Sequence, residues 1–267
     1  MAASPEPQIH LTIDETDARG LVARITIDHP SHLNILNTAL ILALTSAVNS
    51  LRAHDRLRVV ILTGAGDRAF IGGADIREMV GLDVVSAREF ISRLHLACAA
   101  LRTLPVPVIA RVSGYCLGAG LEVAASCDLR VAADHATFGM PEVKVGLPSV
   151  IEAALLPRLI GWGKAAELVL TGATLSAAEA VHCGLVTCVV PRAELDRVVE
   201  RWTHAILQAG PHAVRLQKAL LQDWAQLPLE QAIERGIVAF SEAYRTAEPR
   251  ALMTQFLQRD RHPADAR

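Results

Sequence analysis

Ile109-Ala110-Arg111-Val112-Ser113-Gly114-Tyr115-Cys116-Leu117-Gly118-Ala119-Gly120-Leu121-Glu122 reads as a buried strand, a glycine-spaced turn and the opening of an apolar helix. An earlier stretch has the same make. There the β-branched run Arg58–Thr63 ends in Gly64-Ala65-Gly66, and Phe70-Ile71-Gly72-Gly73-Ala74-Asp75-Ile76 then turns into another helix. A helix start leaves backbone N–H groups without intrahelical acceptors and carries the positive end of the helix dipole. The small residues Gly73-Ala74 and Gly118-Ala119-Gly120 let a ligand oxygen come close to such amides. Two donors aimed at one point make an oxyanion hole. Ordinary turn glycines explain either stretch as well, and the sequence alone does not make the two converge.

Outward from these turns, His10–Asp14 and Val22–Asp28 read as strands joined by a turn around Asp17–Gly20. Apolar spacing predicts a helix over Asn37–Leu51, with Asn37 or Thr38 as its N-cap. Another spans Ser86–Arg102 and stops before Pro105 and Pro107. Val108–Val112, Leu129–Ala132 and Thr137–Gly139 read as strands, and the chain from Ile151 onward as mostly helical. Strand–helix alternation followed by helices predicts an α/β fold. Its core covers residues 1–200 and a helical C-terminal region covers 201–267, within one domain unit. In that region Val198–Gly210, His212–Gln222 and Leu229–Tyr244 are amphipathic, suited to packing on the core or on a neighbouring subunit.

Composition bounds the function. In 267 residues, 51% hydrophobic and 20% charged, there is ample apolar surface for a core, and with 4% aromatics that core must be aliphatic. A net charge of −2 argues against a nucleic-acid partner, which needs a concentrated basic face. No run is long enough to span a membrane. Five cysteines (Cys98, Cys116, Cys127, Cys183, Cys188) at scattered spacings suit a reducing compartment better than a disulfide framework. Neither they nor the ten histidines show metal-ligand spacing, so no metal is expected. Met1–Gln8 reads as a tail rather than a targeting peptide, which leaves the cytoplasm as the expected location.

Two carboxylates stand out. Glu122 lies in the apolar stretch Leu117–Ala125, where a charge is costly unless paired or used, and Glu142 follows Phe138-Gly139-Met140-Pro141. Each also has a plain structural reading, Glu122 at a helix N-terminus and Glu142 in a turn. Glu152 fits an S-x-x-E capping box with Ser149 and is read as structural. Gly114–Glu122 reads GxxxGxG and not GxGxxG, and Gly161-Trp162-Gly163-Lys164 lacks a P-loop frame, so nucleotide signatures are absent. Arg259 and Arg261 could meet a phosphate, although a solvated helix face serves equally well.

Several segments together resemble the enoyl-CoA hydratase/isomerase (crotonase) superfamily. Ala69-Phe70-Ile71-Gly72-Gly73-Ala74-Asp75-Ile76-Arg77-Glu78-Met79 is similar to its AFxxGADIKEM segment, and Ile109–Glu122 to IAAVNGxAxGGGxE. Phe138–Glu142 is similar to FGxPE, Pro30–Leu36 to PxxLNxL, and Leu170-Thr171-Gly172 with Gly184-Leu185-Val186 to the later LTG…GLV pattern. The resemblance implies repeated ββα units followed by C-terminal helices, assembled as a homotrimer or homohexamer. It implies a lyase of fatty acid metabolism that adds water across the 2,3 double bond of a 2-enoyl-CoA. Coenzyme A would be part of the substrate, with no separate cofactor.

By the same resemblance, the N–H groups of Ala74 and Ala119 form the oxyanion hole. Glu122 holds and activates water, and Glu142 shares that task and delivers the proton to Cα. His32, Leu33, Gly73, Asp75, Ile76 and Gly118 line the coenzyme side. Isomerases often keep only the second glutamate, so retention of both favours hydration. Isomerase, hydrolase or lyase chemistry and a non-catalytic acyl-CoA-binding or RNA-binding role are the alternatives. Three departures stand out. Gly146–Ala153 replaces a glycine-rich stretch with bulkier residues expected to reshape the acyl pocket. Ala119 replaces a glycine, and Phe256–Arg259 lacks a lysine often found there.

Overall fold

The apolar run that begins at Leu57 is buried along its whole length as β3 (Leu57–Gly64), a central strand. A strand paired on both edges and covered on both faces loses the apolar/polar alternation of a half-exposed one. The computed structural model describes residues 7–15 and 19–259, and the chain divides into two units, one ending at Thr203 and the other starting at His204. The anticipated turn at Asp17 and the arginine at Arg261 lie outside the described residues.

In the first unit a six-stranded sheet has the order β1 (Gln8–Glu15), β2 (Leu21–Asp28), β3, β5 (Val108–Val112), β7 (Leu129–Ala133) and β10 (Cys188–Val190). Only the β1–β2 pair is antiparallel; the remaining pairs are parallel. A four-stranded sheet has the order β4 (Ala69–Ile71), β6 (Tyr115–Leu117), β8 (Thr137–Gly139) and β9 (Thr174–Ser176). β3 and β4, β5 and β6, and β7 and β8 therefore form successive pairs, each giving one strand to either sheet. Helices follow: α2 (Ile76–Met79) and α3 (Val84–Arg102) after the first pair, and α4 (Ala119–Ala125) after the second. This is the expected ββα repeat.

The helix α1 (Thr38–Ser50) starts where its spacing predicts, with Asn37 as N-cap: its Oδ1 accepts the Leu40 N–H at 2.9 Å. Leu40, Ile41, Leu44 and Val48 of α1 are buried, as are Phe90, Leu94, Ala97, Cys98 and Leu101 of α3. The core is thus mainly aliphatic, with Phe70, Phe90 and Phe138 set in it, and truncating one of these leucines to alanine costs about 2–5 kcal/mol. α3 begins two residues before the anticipated Ser86, because Asp83 and Ser86 cap each other reciprocally.

Two readings need correction. Residues 69–71 and 115–117, taken as parts of glycine-rich turns, are strands of the smaller sheet. The region after Ile151 is mostly helical as read, with the short strands β9 (Thr174–Ser176) and β10 (Cys188–Val190) within it. Ser149 and Glu152 form no capping box. The Ser149 hydroxyl donates to Glu142 Oε2, and the 3-10 turn Ile151–Leu155 starts at Val150 without a side-chain cap. After that turn come α5 (Leu156–Ile160), α6 (Trp162–Thr171), α7 (Ala177–His182) and α8 (Leu195–Gln208).

In the second unit, α9 (Pro211–Gln226), α10 (Leu229–Ala243) and α11 (Glu248–Arg259) follow one another. The Glu248 carboxylate accepts the N–H groups of His212 and Ala213 at 3.0 and 2.9 Å, satisfying the free start of α9. Asp223 of α9 pairs with Arg235 of α10 at 2.9 Å.

Candidate active site

The smaller sheet sets the position of the site. Its parallel register places Ala69, Tyr115 and Thr137 abreast, then Ile71, Cys116 and Phe138, with Leu117 beside Gly139. The three chains therefore leave the sheet side by side as Gly72-Gly73-Ala74, Gly118-Ala119 and Met140-Pro141-Glu142. Outside the carboxyl ends of parallel strands is where α/β folds bind ligands.

Two close approaches hold this arrangement. A β-carbon on Gly120 would fall 2.2 Å from the Ile71 carbonyl oxygen, so α4 lies directly against the end of β4. Gly118 has φ +52°, and a β-carbon there would meet Glu142 Oε1 at 2.5 Å. From the other side, Leu36 pairs with Ala74: the Leu36 N–H donates to Gly73 O and the Asp75 N–H to Leu36 O, both at 2.8 Å. Glu78 Oε2 accepts the Thr38 N–H at 2.8 Å and ties α2 to the start of α1. Among the described residues, the amides of Ala74 and Ala119 have no hydrogen-bond acceptor.

Glu122 stands one turn after Ala119, on the same side of α4. It is 4% exposed, and its Oε1 accepts the Ala153 N–H at 3.3 Å. Burial first, then the charge of Glu142, pushes its carboxyl up to about 8. Glu142 begins the 3-10 turn Glu142–Val145 and takes the Ser149 hydroxyl on Oε2 at 2.8 Å.

A cavity of about 750 Å³ opens here. Gly73, Ala74, Ile76, Gly118, Ala119, Glu122 and Glu142 line it together. His32, Leu33 and Asp75 do not. Asp75 caps α2 by accepting the Arg77 N–H, the His32 ring stacks on His29, and the Leu33 carbonyl accepts the Gly72 N–H. These three build the wall from behind. Asn34, buried and at φ +54°, does the same with side-chain bonds to His29 N, Ala65 O and Ala69 O.

The rest of the lining is largely apolar, with Arg88 and Lys144 in it, and its contribution from residues 79–91 was missed by sequence reading. Met79, Leu82, Phe90 and Ile91 form one wall, and Leu147, Pro148 and Val150 the opposite one. The signal was present in the apolar stripe of α3, but a stripe does not say whether it faces core or cavity. Leu147, Pro148 and Val150, from the stretch where bulkier residues replace the family's glycines, are among the lining residues. Among the described residues, no three His, Cys, Asp or Glu side chains are grouped to hold a metal ion, and no helix is long and apolar enough to cross a membrane.

Comparison with known proteins agrees with this geometry. The model of the enoyl-CoA hydratase/isomerase family matches residues 17–264. The chain is 35% identical to the short-chain-enoyl-CoA hydratase of Clostridium acetobutylicum, covering 91% of this chain and 94% of that protein. It is 36% identical to the crotonyl-CoA hydratase of Syntrophomonas wolfei, covering 89% and 92%. Among solved structures, the enoyl-CoA hydratase of Bacillus anthracis superposes with a TM-score of 0.87 at 32% identity over 93% of this chain and 96% of that one. That of Mycobacterium smegmatis gives 0.88 at 32% identity, over 95% and 97%. With a family model spanning nearly its whole length and relatives above a third identical end to end, the chain belongs to the enoyl-CoA hydratase/isomerase family.

Proposed function

We propose that the protein is an enoyl-CoA hydratase that adds water to the 2,3 double bond of a 2-enoyl-CoA, with coenzyme A entering as part of the substrate. The observation that carries this reading is the pair Glu122 and Glu142 lining one cavity with the unpartnered amides of Ala74 and Ala119. The hydratase names of its relatives support the same activity.

The chemistry follows from the donors. Addition of water at Cβ pushes charge onto the thioester oxygen, and the Ala74 and Ala119 amides receive it; one such donor is worth about 3–4 kcal/mol. Water loses a proton and Cα gains one, so a carboxyl pair carrying one proton starts and ends the cycle in the same state. Burial, with the charge of Glu142 beside it, pushes the Glu122 carboxyl up toward its neutral form. In the division that the family resemblance implies, Glu122 holds and activates the water, and Glu142 shares that task and delivers the proton to Cα.

The cavity extends the reading to the acyl group. The cavity, at about 750 Å³, has Met79, Leu82, Phe90 and Ile91 in its lining, which suits an apolar acyl chain. Exposed apolar residues of the second unit, among them Ile237, Phe240 and Phe256, fit a homotrimer or homohexamer. A cytoplasmic location accords with cysteines that form no disulfide among the described residues.

The test is loss of the enoyl-thioester ultraviolet band on a panel of 2-enoyl-CoAs, with chromatographic identification of the product. A 3-hydroxyacyl-CoA supports the reading. Conversion of 3-enoyl-CoA to 2-enoyl-CoA without hydration replaces it with isomerisation, and tight binding without turnover replaces it with a binding role.

A further inference from the structure

Glu152 is a carboxylate with 3% exposure in a protein whose proposed chemistry needs only two others. It is not idle packing. His95 Nδ1 lies 3.0 and 3.3 Å from its two oxygens, and Arg102 Nη2 lies 3.3 Å from Oε1, so two side chains of α3 grip it from one side. The residue before it, Ile151, has φ +36°, a conformation that a β-branched side chain adopts only when its surroundings impose it. The residue after it, Ala153, donates its N–H to Glu122 Oε1. One short turn thus runs from a strained backbone, through an anchored carboxylate, to the donor that orients Glu122.

We infer that Glu152 is a positioning residue for Glu122, tying the turn Ile151–Leu155 to α3 through His95 and Arg102 so that the Ala153 amide stays on the Glu122 carboxyl. The inference rests on the hydratase reading for its kinetic consequences and on geometry alone for its structural ones. Without the anchor, the strain at Ile151 relaxes by turning the 151–153 backbone, and the N–H leaves Glu122. The charge of Glu152 has a second effect: it adds to that of Glu142 in favouring the protonated form of Glu122. The groups facing this pair are Glu142 from its 3-10 turn and His95, Cys98 and Arg102 from α3. The Cys98 thiol, pushed up by burial, is also raised by Glu152 and Glu122.

The test uses the full-length protein with Glu152→Ala, Glu152→Gln, His95→Ala and His95→Gln. Glu152→Ala is expected to lower kcat by about 10–100-fold, the effect of losing hydrogen bonds to a charged group, at unchanged KM. His95→Ala, at a half-exposed position that the fold tolerates, is expected to lower kcat less, by about threefold to tenfold. Glutamine at either position restores most of kcat by keeping a hydrogen-bonding partner. The protonated carboxyl of Glu122 is followed by infrared titration, assigned by its loss in Glu122→Gln. In Glu152→Gln its midpoint is expected to move to lower pH, because a negative neighbour has gone. Unchanged kcat in Glu152→Ala overturns the inference. So does a kcat loss tracking melting temperature and not restored by glutamine, or a Glu122 midpoint that stays put. The infrared titration decides even if the wild-type protein hydrates none of the thioesters, an outcome that would instead defeat the hydratase reading.

Discussion

Gly118 and Glu142 are placed so that a β-carbon on the first would come within 2.5 Å of Oε1 of the second. Gly118→Ala must therefore move the Glu142 carboxylate, and it also forces an alanine into φ +52°. The expected result is a fall of kcat/KM by about 100-fold or more, as for loss of a general acid–base group. Circular dichroism should remain that of a folded protein. Wild-type kinetics in this variant would mean that Glu142 has freedom the account does not grant it.

The raised carboxyl of Glu122 makes a prediction with a definite sign. Its folded-state value of about 8 lies above the ordinary 4.5, so its contribution to stability is full below 4.5 and is lost as the pH rises toward 8. The loss runs at about 1.4 kcal/mol per pH unit at most within that window. Glu122→Gln removes the titration, so its melting temperature should gain on the wild type from pH 5 to pH 8 and then run parallel. Parallel melting curves throughout would mean that Glu122 titrates as an ordinary glutamate. Where hydration depends on the Glu122 proton, wild-type kcat/KM should fall on the alkaline side of about pH 8.

The apolar wall sets chain length. Ile91 lines the cavity on α3 without belonging to the innermost core. Ile91→Trp should depress kcat/KM for a ten-carbon enoyl-CoA by about tenfold more than for the four-carbon one, in the range that filling a hydrophobic pocket produces. Equal effects on both chains would show that the acyl group takes another path.

On α10, Ile233, Ile237 and Phe240 are exposed and recur at helical spacing. If this face meets other copies of the chain, light scattering should give a multiple of three chains for the wild type. Phe240→Asp should then lower the mass toward that of one chain. A monomeric wild-type protein would remove the assembly from the account.

Much of this was legible in the residues themselves, and what was not has a physical reason. The strand–turn–helix run at Ile109–Glu122 carries its own signals: apolar β-branched sequence, spaced glycines and a carboxylate in apolar company. The strands Ala69–Ile71, Tyr115–Leu117 and Cys188–Val190 show no such signal, because three residues are too short for a period and their partners lie far away in sequence. Glu152 misled for a related cause. Its local spacing to Ser149 fits a cap, but His95 and Arg102, some fifty residues earlier, compete for its oxygens, and Ser149 is drawn to Glu142 instead. Asn34 and the α3 wall were silent because a buried amide and an apolar stripe acquire their roles only from what the fold brings opposite them.

The central claim is that two carboxyl groups act on one water across a thioester held by two amides. The most direct test is the rate of 2-enoyl-CoA hydration by Glu122→Gln and Glu142→Gln, each beside the wild type at pH 7. The account expects both variants to lose about 100-fold or more in kcat while remaining folded. Retention of near wild-type hydration by either one would contradict it.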